Sequence, residues 1–216
     1  MGLKSSFVRC IFLSLMVLFT GCAELKNLRE EKIAMTQRIG ELQRERDDLD
    51  SRYNLSEQEK ARLIEERDRL ENARRSMEER LKGTGVTVRI KEGKIAVMIP
   101  SSILFNSGQA VLKESAKSSL TKVCDVLKKD FPNGAIRIEG HTDSDPIKRT
   151  KNLYASNWEL SVMRAANVLH FLEDKCHLDP KKLYIAGFGE YQPVTSNKNK
   201  EGKIKNRRVE IVVLTE

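Results

Sequence analysis

The fold class the sequence predicts is α/β: a mixed sheet covered by helices on one face, preceded by a long helical coiled-coil segment. Three observations predict it. Residues 24–82 hold 16 acidic and 15 basic side chains, no proline and one glycine, Gly40, a composition that favours helix throughout. Gly83-Thr84-Gly85 then breaks that helix. Beyond the break, short alternating apolar stretches interleave with two amphipathic ones, in the order β-β-α-β-α-β-β.

The first element is a leader. Lys4 and Arg9 precede a ten-residue apolar run, Cys10 to Phe19, and small residues follow at Thr20 and Gly21. That is the outline of a secretory signal over residues 1–21, too short for a membrane span of about 20 residues. An ordinary signal cleaved near Gly21 fits the pattern. LFTGC also resembles a bacterial lipobox, with Phe19 where leucine is usual. The resemblance implies cleavage before Cys22, acylation of that cysteine, and delivery to the outer membrane, since Ala23 follows it. Each buried acyl methylene contributes about 0.8 kcal/mol to such an anchor.

Residues 22–82 are the second element. Leu28, Met35, Leu42, Leu49, Leu63, Leu70 and Met77 fall on one seven-residue series broken only by Ser56. Three residues ahead of each runs a poorer seam: Leu25, Lys32, Ile39, Arg46, Tyr53, Lys60, Arg67 and Arg74. Together they form a coiled-coil register with a sound d line and a polar a line. Such a helix needs a partner helix or stays marginal, so a homo-oligomer is expected; a single charged helix serving as a spacer is the other reading. Fully helical, about 59 residues would span roughly 90 Å.

Residues 83–216 are the third element, large enough for a core and holding most of the net charge of +8, with 22 basic against 15 acidic groups. Val86, Val88 and Ile90 alternate as a strand. Glu92-Gly93 turns the chain, Ile95 to Ile99 forms a second strand, and Pro100 ends it. Phe105 to Gly108 reads as a loop. A helix spans roughly Glu114 to Lys129, with Leu120, Val123, Val126 and Leu127 on one face. Ala135 to Glu139 is a strand, Ser156 to Lys175 a helix, and Leu183 to Gly187 a strand. Thr195 to Lys205 reads as a polar loop before a last strand, Val209 to Leu214. Cys124 and Cys176 fall in predicted helices; in an oxidising compartment they could pair, or stay as two buried thiols.

Little of this chain reads as catalytic. Ser161 and His170 stand nine residues apart, which is no helical pairing. No phosphate loop or dinucleotide fingerprint occurs. His141, His170 and His177 are not grouped with cysteines as metal ligands would be. No metal, cofactor or enzymatic activity is therefore expected. The positive charge suits an anionic partner, but an exported chain without an aromatic stacking series is not a nucleic-acid binder. Two residues draw notice. Asp143 lies just past a strand end, where ligand sites in α/β folds cluster, or where an Asx-turn would put it. Arg164 lies inside an apolar helix, as a ligand-binding group or as a side chain that snorkels or pairs with an acid.

GHTDSDPI, NWELSVMRAANVLHFL, GFGEYQPV and NRRVEIVV, in that order over residues 84–214, resemble the OmpA-like domain. The YASNWELS insert is similar to the MotB branch of that family, although the leader and heptads do not fit a stator protein. The resemblance implies a β-α-β-α-β sandwich that binds peptidoglycan without covalent chemistry. It implies that Asp143 and Arg164 hold the diaminopimelate of the stem peptide and that Arg207 lines the same site. Asn157 and Leu160 lie beside it on the motif segment. Phe105 and Asn106 lie in a loop near the pocket, Asn106 standing where family members often carry Asp. The chemistry is apt: the acid accepts from the ligand's ammonium and the arginine donates a bidentate pair to its carboxylate.

The expectation is an outer-membrane lipoprotein, facing the periplasm, that tethers membrane to wall. The alternative is an envelope structural or assembly protein acting mainly through its coiled coil. A wall hydrolase is a third and weaker reading, because no nucleophile or metal constellation supports it.

Overall fold

Helix α1 runs from Leu3 to Arg80 in a computed structural model that describes the backbone of residues 3–214 and the side chains of residues 24–214. The proposed signal segment and the Cys22 side chain lie outside the described side chains. Contacts divide the chain into two compact units, Met1–Leu63 and Ile64–Glu216. In the first unit the heptad residues Leu28, Met35, Leu42, Leu49 and Leu63 are all exposed. Among the described residues no helix carries a stretch long and apolar enough to cross a membrane.

The second unit holds the sheet. Its strands are β1 (Thr87–Lys91), β2 (Lys94–Pro100), β3 (Ala135–His141), β4 (Leu183–Gly187) and β5 (Arg208–Leu214). They lie in the order β1-β2-β5-β3-β4, with β3 and β4 parallel and the other pairs antiparallel. This is the mixed sheet the sequence predicts. The helices are α2 (Ser101–Leu104), α3 (Glu114–Asp130), α4 (Asn157–Asp174) and α5 (Lys200–Asn206).

Alternation along the strands decides the layers, because successive side chains point to opposite faces. Val97, Ile99, Ile138, Val209 and Ile211 share one apolar core with Leu120 and Leu127 of α3 and Val168 and Leu172 of α4. At ~1.5–3 kcal/mol per buried large apolar side chain, this layer is the main stabilising contact of the unit. Met77 and Leu81 are fully buried in the same core, so the last turns of α1 belong to this unit although the composition changes only at Gly83. Cys124 of α3 and Cys176, just past α4, are disulfide-bonded with Cα atoms 6.0 Å apart, which resolves the pairing the sequence leaves open.

One local expectation is corrected. The polar run Thr195 to Lys205 is not all loop: Lys200–Asn206 is helical. Its start is fixed by Asn199, whose Oδ1 accepts from the Gly202 N–H at 2.7 Å, an N-cap that a charged seven-residue segment without apolar periodicity does not announce. The short helix α2 after Pro100 is likewise absent from the sequence pattern.

Candidate functional site

Two glycines bring α4 onto the sheet. A Cβ on Gly140 of β3 would lie 2.0 Å from the Ser161 carbonyl oxygen, and one on Gly187 of β4 would lie 2.3 Å from the Val162 side chain. Only glycine permits that approach. The start of α4 is then fixed by a capping box between Ser156 and Glu159. Ser161 ties the helix to the next loop by accepting from the Gly189 N–H at 3.0 Å. The result sets the first turns of α4 against the segment that leaves β3 at His141.

Phe105, Asn106, Asp143, Asn157, Leu160, Arg164 and Arg207 all line one cleft of about 700 Å³. Three separate stretches of sequence meet there: the loop after α2, the loop after β3 with the start of α4, and the junction of α5 and β5. Asp143 is buried. Its Oδ1 accepts from the Asp145 N–H at 3.2 Å, so the Asx-turn weighed from the sequence is present. Its Oδ2 accepts from Arg207 Nη1. The turn and the ion pair use different oxygens of one carboxylate.

Arg164 is 3 % exposed. Its Nε donates to the Gln109 carbonyl at 3.0 Å, and its guanidinium stands 5.3 Å from the centroid of the Phe105 ring, a cation–π distance. That is the only hydrogen bond of the guanidinium among the described residues. Burial lowers its pKa to about 10, against the attraction of Asp143 and with the repulsion of Arg207; it remains charged at neutral pH. A desolvated cation with spare donors in a cleft can take a carboxylate in a bidentate pair.

Asn157 is a strut. Its Nδ2 donates to the Asp143 carbonyl (3.3 Å), the Asp145 carbonyl (3.1 Å) and Glu190 Oε2 (2.9 Å). Leu160 is buried under the cleft, whereas Asn106 is exposed at its rim. Sequence reasoning missed Asn206, which is fully buried and bonds Val194, Thr195 and Asn197, closing the loop that delivers Arg207. It also missed Lys203, whose Nζ lies 2.6 Å from Asp145. Asn206 stands directly before Arg207 in the NRR motif, the one signal that marks it.

The opposite face of the sheet carries a buried charge network. Glu139 and Glu210 face each other across β3 and β5, a repulsive arrangement for neighbouring strands. Lys91 offsets it, 2.7 Å from Glu139 and 3.0 Å from Glu210, together with Arg137, Arg208 and Arg89. Glu139, His141 and Glu210 could each turn one ligand atom to a shared cation. Four protein cations already neutralise the two carboxylates, so the donor set does not suit a metal ion.

Known proteins resemble this chain. Residues 104–207 match the model of the OmpA family. The chain is 38% identical over 154 residues to "Motility protein B" of Bacillus subtilis, covering 69% of this chain and 58% of that protein. It is 34% identical over 137 residues to "Probable lipoprotein YiaD" of Escherichia coli, covering 63% of this chain and 59% of that protein. It thus spans somewhat over half the length of these relatives. The solved structure of the cell wall anchor of the T6SS from Pseudomonas aeruginosa superposes with a TM-score of 0.58 at 32% identity, covering 66% of this chain and 96% of that one. The C-terminal domain thus resembles OmpA-family domains over residues 104–207 and shares its fold with this cell wall anchor.

Proposed function

We propose that this chain anchors to peptidoglycan by seating the diaminopimelate of a stem peptide between Asp143 and Arg164, with Arg207 beside them. One observation carries the reading: a buried arginine with spare donors faces a cleft whose buried acid, Asp143, is held by a second arginine. The ligand's amino acid end offers an ammonium and a carboxylate on one carbon. Its carboxylate takes the Arg164 donors, and its ammonium takes the place of Arg207 on Asp143. Phe105 and Leu160 supply an apolar wall for the methylene chain.

LFTGC supports acylation of Cys22 and an outer-membrane anchor facing the periplasm, and a relative carrying "lipoprotein" in its name fits that reading. The heptad helix is then the spacer between membrane and wall, and its exposed d line supports self-association.

The test is sedimentation with purified diaminopimelate-type sacculi. Residues 64–216 keep Met77 and Leu81 in the core and are the fragment to use. Wild type is expected in the pellet at moderate salt and Arg164→Ala in the supernatant. Equal retention of both would leave only diffuse attraction by a basic domain and end the specific reading.

A further inference from the structure

The stripe of α1 changes its circumstances along its length. In the first unit Leu28, Met35, Leu42 and Leu49 leave 58%, 66%, 48% and 55% of their surface to solvent. In the second unit the same seven-residue series continues through Leu70, partly buried against the sheet's core, and Met77, fully buried within it. The stripe is therefore satisfied inside the chain from Leu70 onward and unpartnered before it. An exposed apolar row on a long helix is covered by another helix.

Charge identifies that helix. The a positions Lys32, Arg46 and Lys60 are basic, and each directly follows a g-position acid: Glu31, Glu45 and Glu59. Of the apolar a positions, Ile39 and Tyr53 each directly follow a g-position base, Arg38 and Arg52, whereas Leu25 at the start follows Glu24. In a parallel, in-register pair, a g side chain lies beside the partner's next a side chain. In an antiparallel pair, a lies beside e, and Arg29, Thr36, Gln43, Asp50 and Glu57 show no matching alternation. The ordinary g-to-e contacts do not decide the matter, since Arg52 would attract Glu57 while Glu45 would repel Asp50.

We propose that residues 25–63 form a parallel, in-register, two-stranded coiled coil with a second copy of this chain, the g-position glutamates accepting the partner's basic a residues. This deepens the self-association named above and does not depend on wall binding. Two strands suit a lysine or arginine at a, because its stem covers the seam while its head reaches g and water; a third strand would enclose the head. In the single helix these bases pair elsewhere, Arg46 with Asp47 at 2.6 Å and Lys60 with Glu57 at 3.5 Å. Both are exposed contacts of small worth and free to exchange.

The test uses the full chain in membranes, with Leu42→Cys, Leu49→Cys or, on the far face, Ser51→Cys. Mild oxidation is expected to link the first two to themselves at twice the chain mass and to leave the third unlinked. Glu45→Lys should cut the Leu49→Cys link several-fold, and Glu45→Lys combined with Arg46→Glu should restore it. Links only between unlike positions such as Leu28→Cys and Leu49→Cys, no links at either d position, or a native mass of three chains would overturn the proposal. So would an unchanged link in Glu45→Lys. Arg164→Ala should leave every link intact, which separates failure here from failure of the wall-binding reading.

Discussion

Arg207 donates to the carboxylate of Asp143 from 64 residues away in sequence, while Arg164, in the same cleft, is bonded among the described residues only to the Gln109 carbonyl. The arrangement keeps Asp143 from standing as an uncompensated buried charge while leaving donors of Arg164 unengaged among the described residues. In the proposed binding mode the ligand's ammonium replaces Arg207 on Asp143 and its carboxylate takes those donors.

Arg164→Ala should weaken binding to sacculi by ~10- to 100-fold, the worth of one charged hydrogen-bonded pair at about 1.5–3 kcal/mol. Arg164→Lys should rescue little of it, because an ammonium cannot form the planar two-point contact or keep the place of the guanidinium over Phe105. Circular dichroism on both variants separates lost binding from lost fold. Full binding by Arg164→Lys would show that charge alone suffices.

The residues of this cleft were named through the family resemblance of the GHTD, NWELSVMRA and NRR stretches; pattern alone left Asp143 as a ligand group past a strand end or an Asx-turn, and Arg164 as a ligand group or a snorkelling side chain. What was not legible came from distant contacts. Asp143 and Arg207 approach only because β3 and β5 are neighbours in the sheet, a pairing that strand patterns do not specify. Asn206 is buried for reasons of loop closure that its polarity conceals, and α5 rests on a single cap at Asn199. Glu139 and Glu210 alternate with apolar neighbours in their strands, yet both are buried, each paired with basic side chains. Alternation tells which face a residue takes, not what covers that face.

Gly140→Ala should destabilise the C-terminal unit by at least about 1–3 kcal/mol, the usual range for overpacking. Its new methyl would meet the backbone oxygen of Ser161 at 2.0 Å, and a helix backbone cannot rotate away as a side chain can. Because the displaced turn carries Arg164, binding should fall as well. Urea unfolding gives the first quantity; an unchanged midpoint would mean that α4 moves off the sheet at little expense.

Replacing Cys124 and Cys176 with alanine should lower stability by about 2–4 kcal/mol. Their separation of 52 residues corresponds to about 4 kcal/mol of loop-closure entropy in the unfolded chain, the upper end of what such bonds deliver. Wall binding at low temperature should persist, since the bond joins α3 to the end of α4 and lies outside the cleft lining. Thermal melts with and without reductant measure the effect on the wild-type chain.

Stability should fall with acid in two windows. Burial opposes ionisation of Glu139 and Glu210, but the neighbouring donors outweigh it and bring each down to about 2: His141, Lys91 and Arg137 for Glu139, and Arg89, Arg208 and Lys91 for Glu210. In the unfolded chain these groups take up protons near pH 4.3. Their contribution is therefore present above that value and lost as pH falls toward about 2. Burial pushes His141 below its ordinary value, with Arg208 acting the same way against the attraction of Glu139 and Glu210. The unfolded chain then binds a proton near pH 6.5 that the folded chain refuses, so stability already declines below that pH. Melting temperatures measured from pH 7.5 to pH 2.5 should trace both declines. Glu139→Gln should melt lower at pH 7, where it leaves Lys91 and Arg137 short of a counter-charge, and should lose less below pH 4 because one of the two depressed carboxylates is gone. Parallel curves for variant and wild type below pH 4 would show that the network does not set the acid limit of the fold.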